Sequence, residues 1–263
     1  MRKDKGGSVS IILPCAGRGT RLNLPYSKEL VKISEGMSLI DYSFQHILAS
    51  HLQPRVIVVI GPHKLDIARY VYEKYNDKVD LVFVFQKADH KGVTGATRSA
   101  EHLFGDKNIL FLPSTIIEYK NNKVPLIDKM TGMLDRQPFV FMYKNENSIT
   151  RLKLSGALHI QDQKVIDYED KPLEHVEKYN AFCVSYGFKK EVFNEVISVI
   201  EQSVLKKDNF RQTFQKSVMC KTLAVEVAEY IDISTWTNLN AYLLRQYLMR
   251  SGVDPQFLKI RHP

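Results

Sequence analysis

The chain has 263 residues, of which 44% are hydrophobic and 25% charged, and its formal net charge is +8. This composition is typical of a globular protein with one large core, and no apolar run exceeds about five residues, too short for a membrane-spanning helix. Cys15, Cys183 and Cys220 are far apart and odd in number, which disfavours a disulfide framework or a cysteine metal site and indicates a reducing compartment.

The beginning of the chain, residues 1–8, is charged and has no apolar segment behind it. We therefore expect a disordered tail rather than a secretory signal, and a cytoplasmic protein without a membrane partner. The positive charge favours phosphorylated small molecules. Because no arginine-rich run or basic stripe with interleaved aromatic residues is present, nucleic acid is disfavoured as a partner.

Strands and helices alternate in the first half. Short β-branched or aromatic runs predict buried strands at 8–13, 55–61, 80–85 and 108–113. Apolar residues at helical spacing predict helices between them, at 39–50, 63–75 and 95–105. This alternation indicates a parallel sheet with helices on both faces.

The second half is more mixed. Strands are predicted at 138–144, 155–161, 164–170 and 180–188, with a hairpin around Asp162-Gln163, and helices at 190–206 and 238–252. No repeat or linker interrupts the chain. We predict one α/β domain over residues 9–263, a Rossmann-like three-layer sandwich with a mixed, mostly parallel central sheet.

The first predicted strand leads into Gly17-Arg18-Gly19-Thr20-Arg21. A strand that ends in a glycine-rich turn presents backbone N–H groups that can hold a phosphate. The pattern lacks the third glycine of the dinucleotide fingerprint and the Gly-Lys-Ser/Thr of a Walker loop. Taken alone, two glycines also fit an ordinary turn. Arg21 can bind phosphate oxygens in a forked geometry, and Pro25 can bring Lys28 back over the loop.

With Leu22, Pro25, Lys28 and Leu30, this segment resembles the opening motif of the nucleotidyltransferases that join a sugar 1-phosphate to a nucleoside triphosphate. The resemblance extends over residues 9–245 and implies the nucleotide-diphospho-sugar transferase fold. It implies catalytic roles for Arg21 at the β- and γ-phosphates, Lys28 at the α-phosphate and Lys171 at the attacking phosphate. It further implies nucleotide contacts from the first loop and from the 86–96 segment: Leu13, Ala16, Gly17, Gly19, Thr20, Gln86 and Gly92.

Gln86 matches the glutamine that reads the base in that family. Its amide offers one donor and one acceptor, which suits the edge of a pyrimidine, although cytosine and guanine also remain open. Gly92 and Gly95 would allow the backbone to approach the ligand.

The acceptor side of the resemblance lies in residues 155–188. Gly156 would admit the sugar, Asp170 stands where the family has glutamate, and Val184 is assigned to the strand that lines the sugar pocket. Lys171 and Pro172 complete the family's Glu-Lys-Pro element.

The metal site departs from the family pattern. Asp232 matches the metal-binding aspartate before the last helix, but Pro113-Ser114 stands where the family has Gly-Asp. The implied cofactor is Mg²⁺, held by Asp232, triphosphate oxygens and waters, because a serine hydroxyl is a weaker ligand for a hard cation. Glu118 is an alternative ligand, with a surface role as the competing interpretation.

Three functions remain open. The first is transfer of a nucleotide to a sugar 1-phosphate; the second is a cytidylyl or similar transfer to a phosphorylated cyclitol, amine or phosphonate. The third is binding of a nucleotide or sugar phosphate without turnover. The family often assembles, so a homo-oligomer is also open, although core packing would equally explain the apolar stripe Leu243, Leu244, Tyr247 and Leu248.

Overall fold

The computed structural model of the protein describes residues 8–120 and 123–252. The predicted tail lies outside these residues except for Ser8, whose backbone N–H donates to Asp106 Oδ2 at 2.8 Å. Within the described part of the chain, no helix has both the length and the apolar character needed to cross a bilayer.

The elements follow one another in a mostly alternating order. The strands are β1 (Val9–Pro14), β2 (Lys32–Ser34), β3 (Met37–Ser38), β4 (Arg55–Ile60), β5 (Asp80–Phe85), β6 (Lys107–Leu110), β7 (Thr115–Glu118), β8 (Phe139–Asn145), β9 (Gly156–Gln161), β10 (Lys164–Asp170), β11 (Ala181–Lys189), β12 (Ala224–Glu226) and β13 (Glu229–Asp232). The α-helices are α1 (Leu39–Ala49), α2 (Leu65–Tyr75), α3 (Gly92–Ser99), α4 (Leu126–Leu134), α5 (Ile149–Leu152), α6 (Phe193–Val204), α7 (Phe210–Lys216) and α8 (Trp236–Arg250).

A nine-stranded mixed sheet lies at the centre. The strands β5, β4, β1 and β6 are parallel neighbours in that order. β11 runs antiparallel to β6, with Gly187 opposite Ile109, and also pairs with β8 and β9. The predicted mixed, mostly parallel sheet is confirmed.

Helices cover both faces of this sheet. Along β1, Ile11 and Leu13 pack into the core beneath α1, α2 and α4, whereas Ile12 packs into the core beneath α3, α6 and α7. This alternation follows from the two-residue period of a strand, and its fully apolar sequence follows from burial on both sides. The result is the predicted three-layer arrangement.

The β9–β10 hairpin turns at Asp162 and Gln163, as predicted, and both residues have positive φ (49° and 62°). This conformation matches the right-handed twist of the two strands. β9 pairs with β11 through Ala181 with Leu158 and Phe182 with Ala157, Lys164 bridges to Leu223, and Leu158, Val165 and Tyr168 of the hairpin pack into the core beneath α3, α6 and α7.

Several elements differ from the sequence prediction. The third helix begins at Gly92 and ends at Ser99, followed by a separate 3-10 turn, rather than covering 95–105. The short strands β2, β3, β7, β12 and β13 and the helices α4, α5 and α7 are not predicted from the sequence. The stripe on α8 is not explained by core packing, because Leu243, Leu244 and Tyr247 are exposed while Leu239 and Tyr242 are buried.

Candidate functional site

The site is built at one edge of the sheet. Since β1, β4, β5 and β6 are parallel, their carboxyl ends open on the same edge, which is where open α/β sheets bind ligands. The antiparallel strand β11 begins at this edge. Its last residue, Lys189, pairs with Lys107 at the start of β6, so its first residue, Ala181, lies beyond the end of β6. The loops after the parallel strands and the β9–β10 hairpin therefore share one side of the molecule.

The loop after β1 turns at Gly19, whose φ is +66°. The Gly19 carbonyl accepts hydrogen bonds from the backbone N–H groups of Leu22 (3.1 Å) and Asn23 (3.2 Å). The Leu22 side chain is buried and anchors this turn, while Gly17, Thr20 and Arg21 are exposed. The predicted phosphate loop thus has a fixed base and a solvent-facing tip.

Ala16 and Leu13, the two apolar residues predicted to contact the nucleotide, differ in exposure. Ala16 is partly exposed at the base of the loop and packs close to Gly61, at which an added Cβ would lie 3.2 Å from the Ala16 carbonyl oxygen. Leu13 is fully buried in the core, so its side chain does not reach the edge.

Lys28 lies beside this loop, as predicted. It begins a 3-10 turn that ends at Leu30, and its side-chain stem packs against Gly19, where an added Cβ would lie 3.6 Å from Lys28 Cβ. Asp66 of α2 fixes the residue before Lys28, because its carboxylate accepts from Ser27 N–H (2.8 Å) and Ser27 Oγ (2.6 Å). Although burial acts to raise it, these hydrogen bonds lower the pKa of Asp66.

A buried ion pair lies behind Lys28 that sequence reasoning missed. Lys64 Nζ, at the start of α2, lies 3.1 Å from Glu29 Oε2, and both side chains are less than a tenth exposed. Burial raises the pKa of Glu29, while Lys64 and then Lys28 act to lower it. Burial also raises the pKa of the nearby Cys15 thiol, which stays protonated.

A groove of about 820 Å³ lies between the loop after β1 and the loop after β4. Arg18 and His63 supply its exposed basic groups, and Leu24, Pro25 and Tyr26 line it with apolar surface.

Gln86 follows β5 at the same edge. Its Nε2 donates to the carbonyl oxygens of His90 (2.5 Å) and Gly92 (3.3 Å), which leaves Oε1 as the atom available to a ligand. Gly92 begins α3 in a left-handed conformation with φ +68°. The 86–92 loop is therefore held around the Gln86 amide.

Gly95 serves this loop by packing. An added Cβ at Gly95 would lie 2.4 Å from the carbonyl carbon of His90 and 2.9 Å from its oxygen. The missing side chain at Gly95 therefore makes room for the backbone of its own loop, whereas the sequence analysis expected it to make room for the ligand.

Ser114 and Asp232 are brought together by the pairing of β7 with β13. Asp232 lies opposite Thr115, and the Ile233 N–H donates to the Ser114 carbonyl at 3.0 Å. The Asp232 carboxylate accepts from Ser234 Oγ at 2.6 Å through one oxygen. Glu118 lies at the other end of β7, opposite Glu229, three residues or about 10 Å along the strand from Thr115.

Within residues 8–120 and 123–252, no three histidine, cysteine, aspartate or glutamate side chains are grouped to hold a metal ion by themselves. Mg²⁺ is often held by one or two carboxylates together with waters and substrate phosphates. The single carboxylate of Asp232 therefore fits a Mg²⁺ that is shared with a nucleotide.

The residues predicted to bind the acceptor, Gly156, Asp170 and Lys171, lie on the β9–β10 hairpin or directly after it. Gly156 pairs with Asp170, and the Lys171 N–H donates to the Ser155 carbonyl at 3.0 Å. Lys171 has φ +47° and an exposed side chain. The predicted glycine, acid and lysine thus occupy adjoining positions.

Lys206, after α6, fixes this turn from below. Its Nζ donates to Glu169 Oε1 (3.1 Å), to the Asp170 carbonyl and to the Lys171 carbonyl (2.9 Å). These three acceptors use all three protons of the ammonium group.

On β11 the structure places Val184 in the core, where it is 1% exposed. Its neighbour Cys183 is the residue that faces the hairpin, since an added Cβ at Gly156 would lie 3.2 Å from Cys183 Cβ. Burial, with the nearby Asp170 charge, raises the pKa of Cys183 to about 12, so it is a neutral thiol. Neighbouring residues of a strand point to opposite faces, so Cys183 and Val184 lie on opposite sides of β11.

The model of the nucleotidyl transferase family matches residues 9–241 of the chain. No curated protein that was compared matches this chain in sequence.

Solved structures share the fold over nearly the whole chain. UDP-glucose pyrophosphorylase complexed with UDP-glucose has a TM-score of 0.73 at 18% identity, covering 92% of this chain and 100% of that one. UTP-bound UGPase from Acinetobacter baumannii has a TM-score of 0.68 at 14% identity, with coverages of 97% and 100%. The inositol-1-phosphate CTP transferase from T. maritima has a TM-score of 0.66 at 14% identity, with coverages of 95% and 99%.

Proposed function

The chain belongs to the nucleotidyl transferase family, and from that premise we propose that it joins a nucleoside triphosphate to a sugar 1-phosphate, giving a nucleotide sugar and pyrophosphate. An oxygen of the sugar phosphate forms a bond to the α-phosphorus, and the bond from that phosphorus to the bridging oxygen of the β-phosphate breaks. The electron pair leaves with pyrophosphate, so the reaction needs no protein nucleophile.

The observation that carries the proposal is the shared edge of the sheet. The Gly17–Arg21 loop and Lys28 lie after β1, and the Lys171 turn lies on the hairpin beside the start of β11, which projects past the same edge. A donor and an acceptor that both carry phosphate repel each other, so cations from two sides of a cleft are the physical solution.

Each cation has its own part in the proposal. Arg21 and the backbone N–H groups of the loop hold the β- and γ-phosphates and neutralise the departing pyrophosphate. Lys28 neutralises the α-phosphate, where charge develops in the transition state, and Lys171 holds the attacking phosphate. The carboxylate of Asp170 accepts hydrogen bonds from the sugar hydroxyls, and Gly156, opposite it in the hairpin, lets the backbone lie close to the sugar.

Asp232 would hold Mg²⁺, and Ser114 stands next to it in place of a second carboxylate. When bound, the ion supplies positive charge to the triphosphate oxygens. With one carboxylate rather than two, the affinity for Mg²⁺ depends more strongly on the nucleotide, because its phosphates supply the remaining charge.

Gln86 offers one acceptor to the base. Its Nε2 is used within its own loop, so Oε1 accepts from the base, which suits the N3–H of uracil or thymine, the N4–H of cytosine and equally the N1–H of guanine; the preference for a pyrimidine rests on the resemblance of Gln86 to the base-reading glutamine of the family.

A second acceptor class is favoured by one observation. Asp170 is one methylene shorter than the glutamate expected at this position, which leaves space for an acceptor of different shape, and a structural neighbour is an inositol-1-phosphate CTP transferase. The second candidate is therefore transfer from CTP to a phosphorylated cyclitol.

Pyrophosphate release over a grid of substrates tests both. UTP, dTTP, CTP, ATP and GTP are each paired with glucose 1-phosphate, other sugar 1-phosphates and inositol 1-phosphate, with Mg²⁺ and with a chelator. We expect a metal-dependent signal with a pyrimidine triphosphate and a sugar 1-phosphate. A signal with CTP and inositol 1-phosphate alone would establish the second candidate, and release with no acceptor specificity at all would contradict both.

A further inference from the structure

A buried carboxylate next to a phosphate-binding lysine poses an electrostatic problem. Glu29 directly follows Lys28, and its side chain is 1% exposed. In such an environment a carboxylate attracts any ammonium group within reach, because little water screens the charges. An ammonium group engaged by Glu29 could not also face the α-phosphate.

Lys64 is the ammonium group that forms the ion pair with Glu29. It reaches Glu29 from the start of α2 at 3.1 Å and is itself buried. Both Lys64 and Lys28 lower the pKa of Glu29, the larger effect coming from Lys64. Two ammonium groups thus act on one carboxylate, and only Lys64 makes a hydrogen bond to it.

We propose that Lys64 is a positioning residue for nucleotidyl transfer, because its occupation of the Glu29 carboxylate leaves the Lys28 ammonium free to contact the triphosphate. The inference rests on the proposed role of Lys28. Asp66 completes the arrangement, since its two hydrogen bonds to Ser27 hold the turn that carries Lys28 against the same helix.

Removal of Lys64 therefore has a specific consequence. In Lys64→Met the Glu29 carboxylate takes Lys28 as its partner, and the α-phosphate loses a cation. Neutralising Glu29 in the same molecule, by Lys64→Met/Glu29→Gln, releases Lys28 again. A merely structural ion pair gives a different result: the thermal midpoint falls in Lys64→Met and recovers in the double variant, because only the single variant leaves a buried charge unpaired, but kcat of the folded enzyme is the same in all four proteins.

The test compares kcat, KM and thermal midpoint for wild type, Lys64→Met, Glu29→Gln and the double variant. We expect Lys64→Met to lower kcat by about 10²-fold, the usual effect of losing one charge-stabilising donor, with a smaller change in KM. The double variant is expected to return to within about threefold of wild type. A double variant as slow as Lys64→Met overturns the proposal.

The matched control is Lys74→Met. Lys74 lies on the same helix and also pairs with a buried carboxylate, that of Asp41, at 2.7 Å, but away from the loop after β1. We expect this variant to lower the thermal midpoint and leave kcat unchanged. If Lys64→Met does not fold, Glu29→Gln decides: retained kcat supports the proposal, and a loss of 10²-fold contradicts it.

The pH profile gives a second readout. Three titratable groups face Glu29: Cys15 just after β1, Lys28 in the same turn and Lys64 at the start of α2. Asp66 lies near Lys64. Without Lys64 the raised pKa of Glu29 rises further, so lowering the pH protonates Glu29 and releases Lys28. The ratio of Lys64→Met to wild-type kcat is thus expected to increase as the pH falls from about 8 to about 6, and the double variant is expected to lose this dependence.

The affinity for UTP, dTTP and CTP in Mg²⁺, measured by calorimetry, separates the two proposals. If wild type binds a triphosphate but transfers it to no acceptor, the proposed acceptor class fails while Lys64 is still tested. We then expect weaker binding in Lys64→Met and recovery in the double variant. Equal affinities in all four proteins overturn the role of Lys64.

Discussion

Gly95→Ala tests how the loop that carries Gln86 is held. The new Cβ would lie 2.4 Å from the His90 carbonyl carbon, whereas ordinary contacts begin near 3.4 Å. The loop must therefore move by about 1 Å. Because the His90 carbonyl accepts the Gln86 amide at 2.5 Å, the base-reading side chain moves with it.

Two effects follow from this displacement. Overpacking of this kind costs about 1–3 kcal/mol, which for a chain of this size lowers the thermal midpoint by roughly 4–8 °C at the middle of that range. A misplacement of about 1 Å in a substrate-positioning group can reduce turnover by about 10²-fold. We therefore expect kcat/KM for the nucleotide to fall by about 10- to 100-fold.

Gly132→Ala is the matched control. Gly132 is also a helical glycine, but nothing lies within 4 Å of an added Cβ there. The same substitution is expected to stabilise the protein by about 0.5–1 kcal/mol, because alanine loses less backbone entropy in a helix. Differential scanning fluorimetry and steady-state kinetics with the active nucleotide give both readouts. If Gly95→Ala matched Gly132→Ala in both, the packing argument for the 86–92 loop would be refuted.

Three further predictions concern the phosphates and the metal. Arg21→Ala and Lys28→Ala are each expected to lower kcat by about 10²–10³-fold with a thermal midpoint close to that of wild type, and near-normal rates in both would remove the proposed triphosphate site. Ser114→Asp adds a second carboxylate and is expected to lower the Mg²⁺ concentration for half-maximal turnover by roughly tenfold; an unchanged titration would show that this position is not at the metal. Lys206→Met frees the turn at Lys171 and is expected to raise KM for the acceptor, about tenfold, without changing KM for the nucleotide. An equal rise in KM for the acceptor and in KM for the nucleotide would contradict this role of Lys206.

The features that the sequence could predict are local. The strand and loop from Val9 to Arg21 form one continuous segment, and the hairpin at Asp162-Gln163 is fixed by its turn. Lys28 lies next to Gly19 because the eight residues between them form a loop that returns it there. In each case the information lies within about twenty consecutive residues, where periodicity and turn chemistry act.

The features that it could not predict depend on distant pairs. Lys64 and Glu29 are 35 positions apart, and each alone reads as a surface charge. β7 and β13 are four-residue strands that form by pairing with each other, and this pairing cannot be seen in either local sequence. The burial of Val184 depends on which face of β11 it takes, and the pairing of β11 with β8 and β9 sets that face rather than the local sequence.

The β9–β10 hairpin carries the residues proposed for the acceptor on one continuous segment, whose Leu158, Val165 and Tyr168 anchor it in the core beneath α3, α6 and α7. The groups proposed for the triphosphate come from the first hundred residues, whereas Gly156, Asp170 and Lys171 come from one compact hairpin. Another hairpin can replace it where those three core positions are kept and Lys206 still holds the turn. Chimaeras that graft other hairpins between residues 155 and 172 would thus diversify the acceptor while the chemistry of activation stays constant.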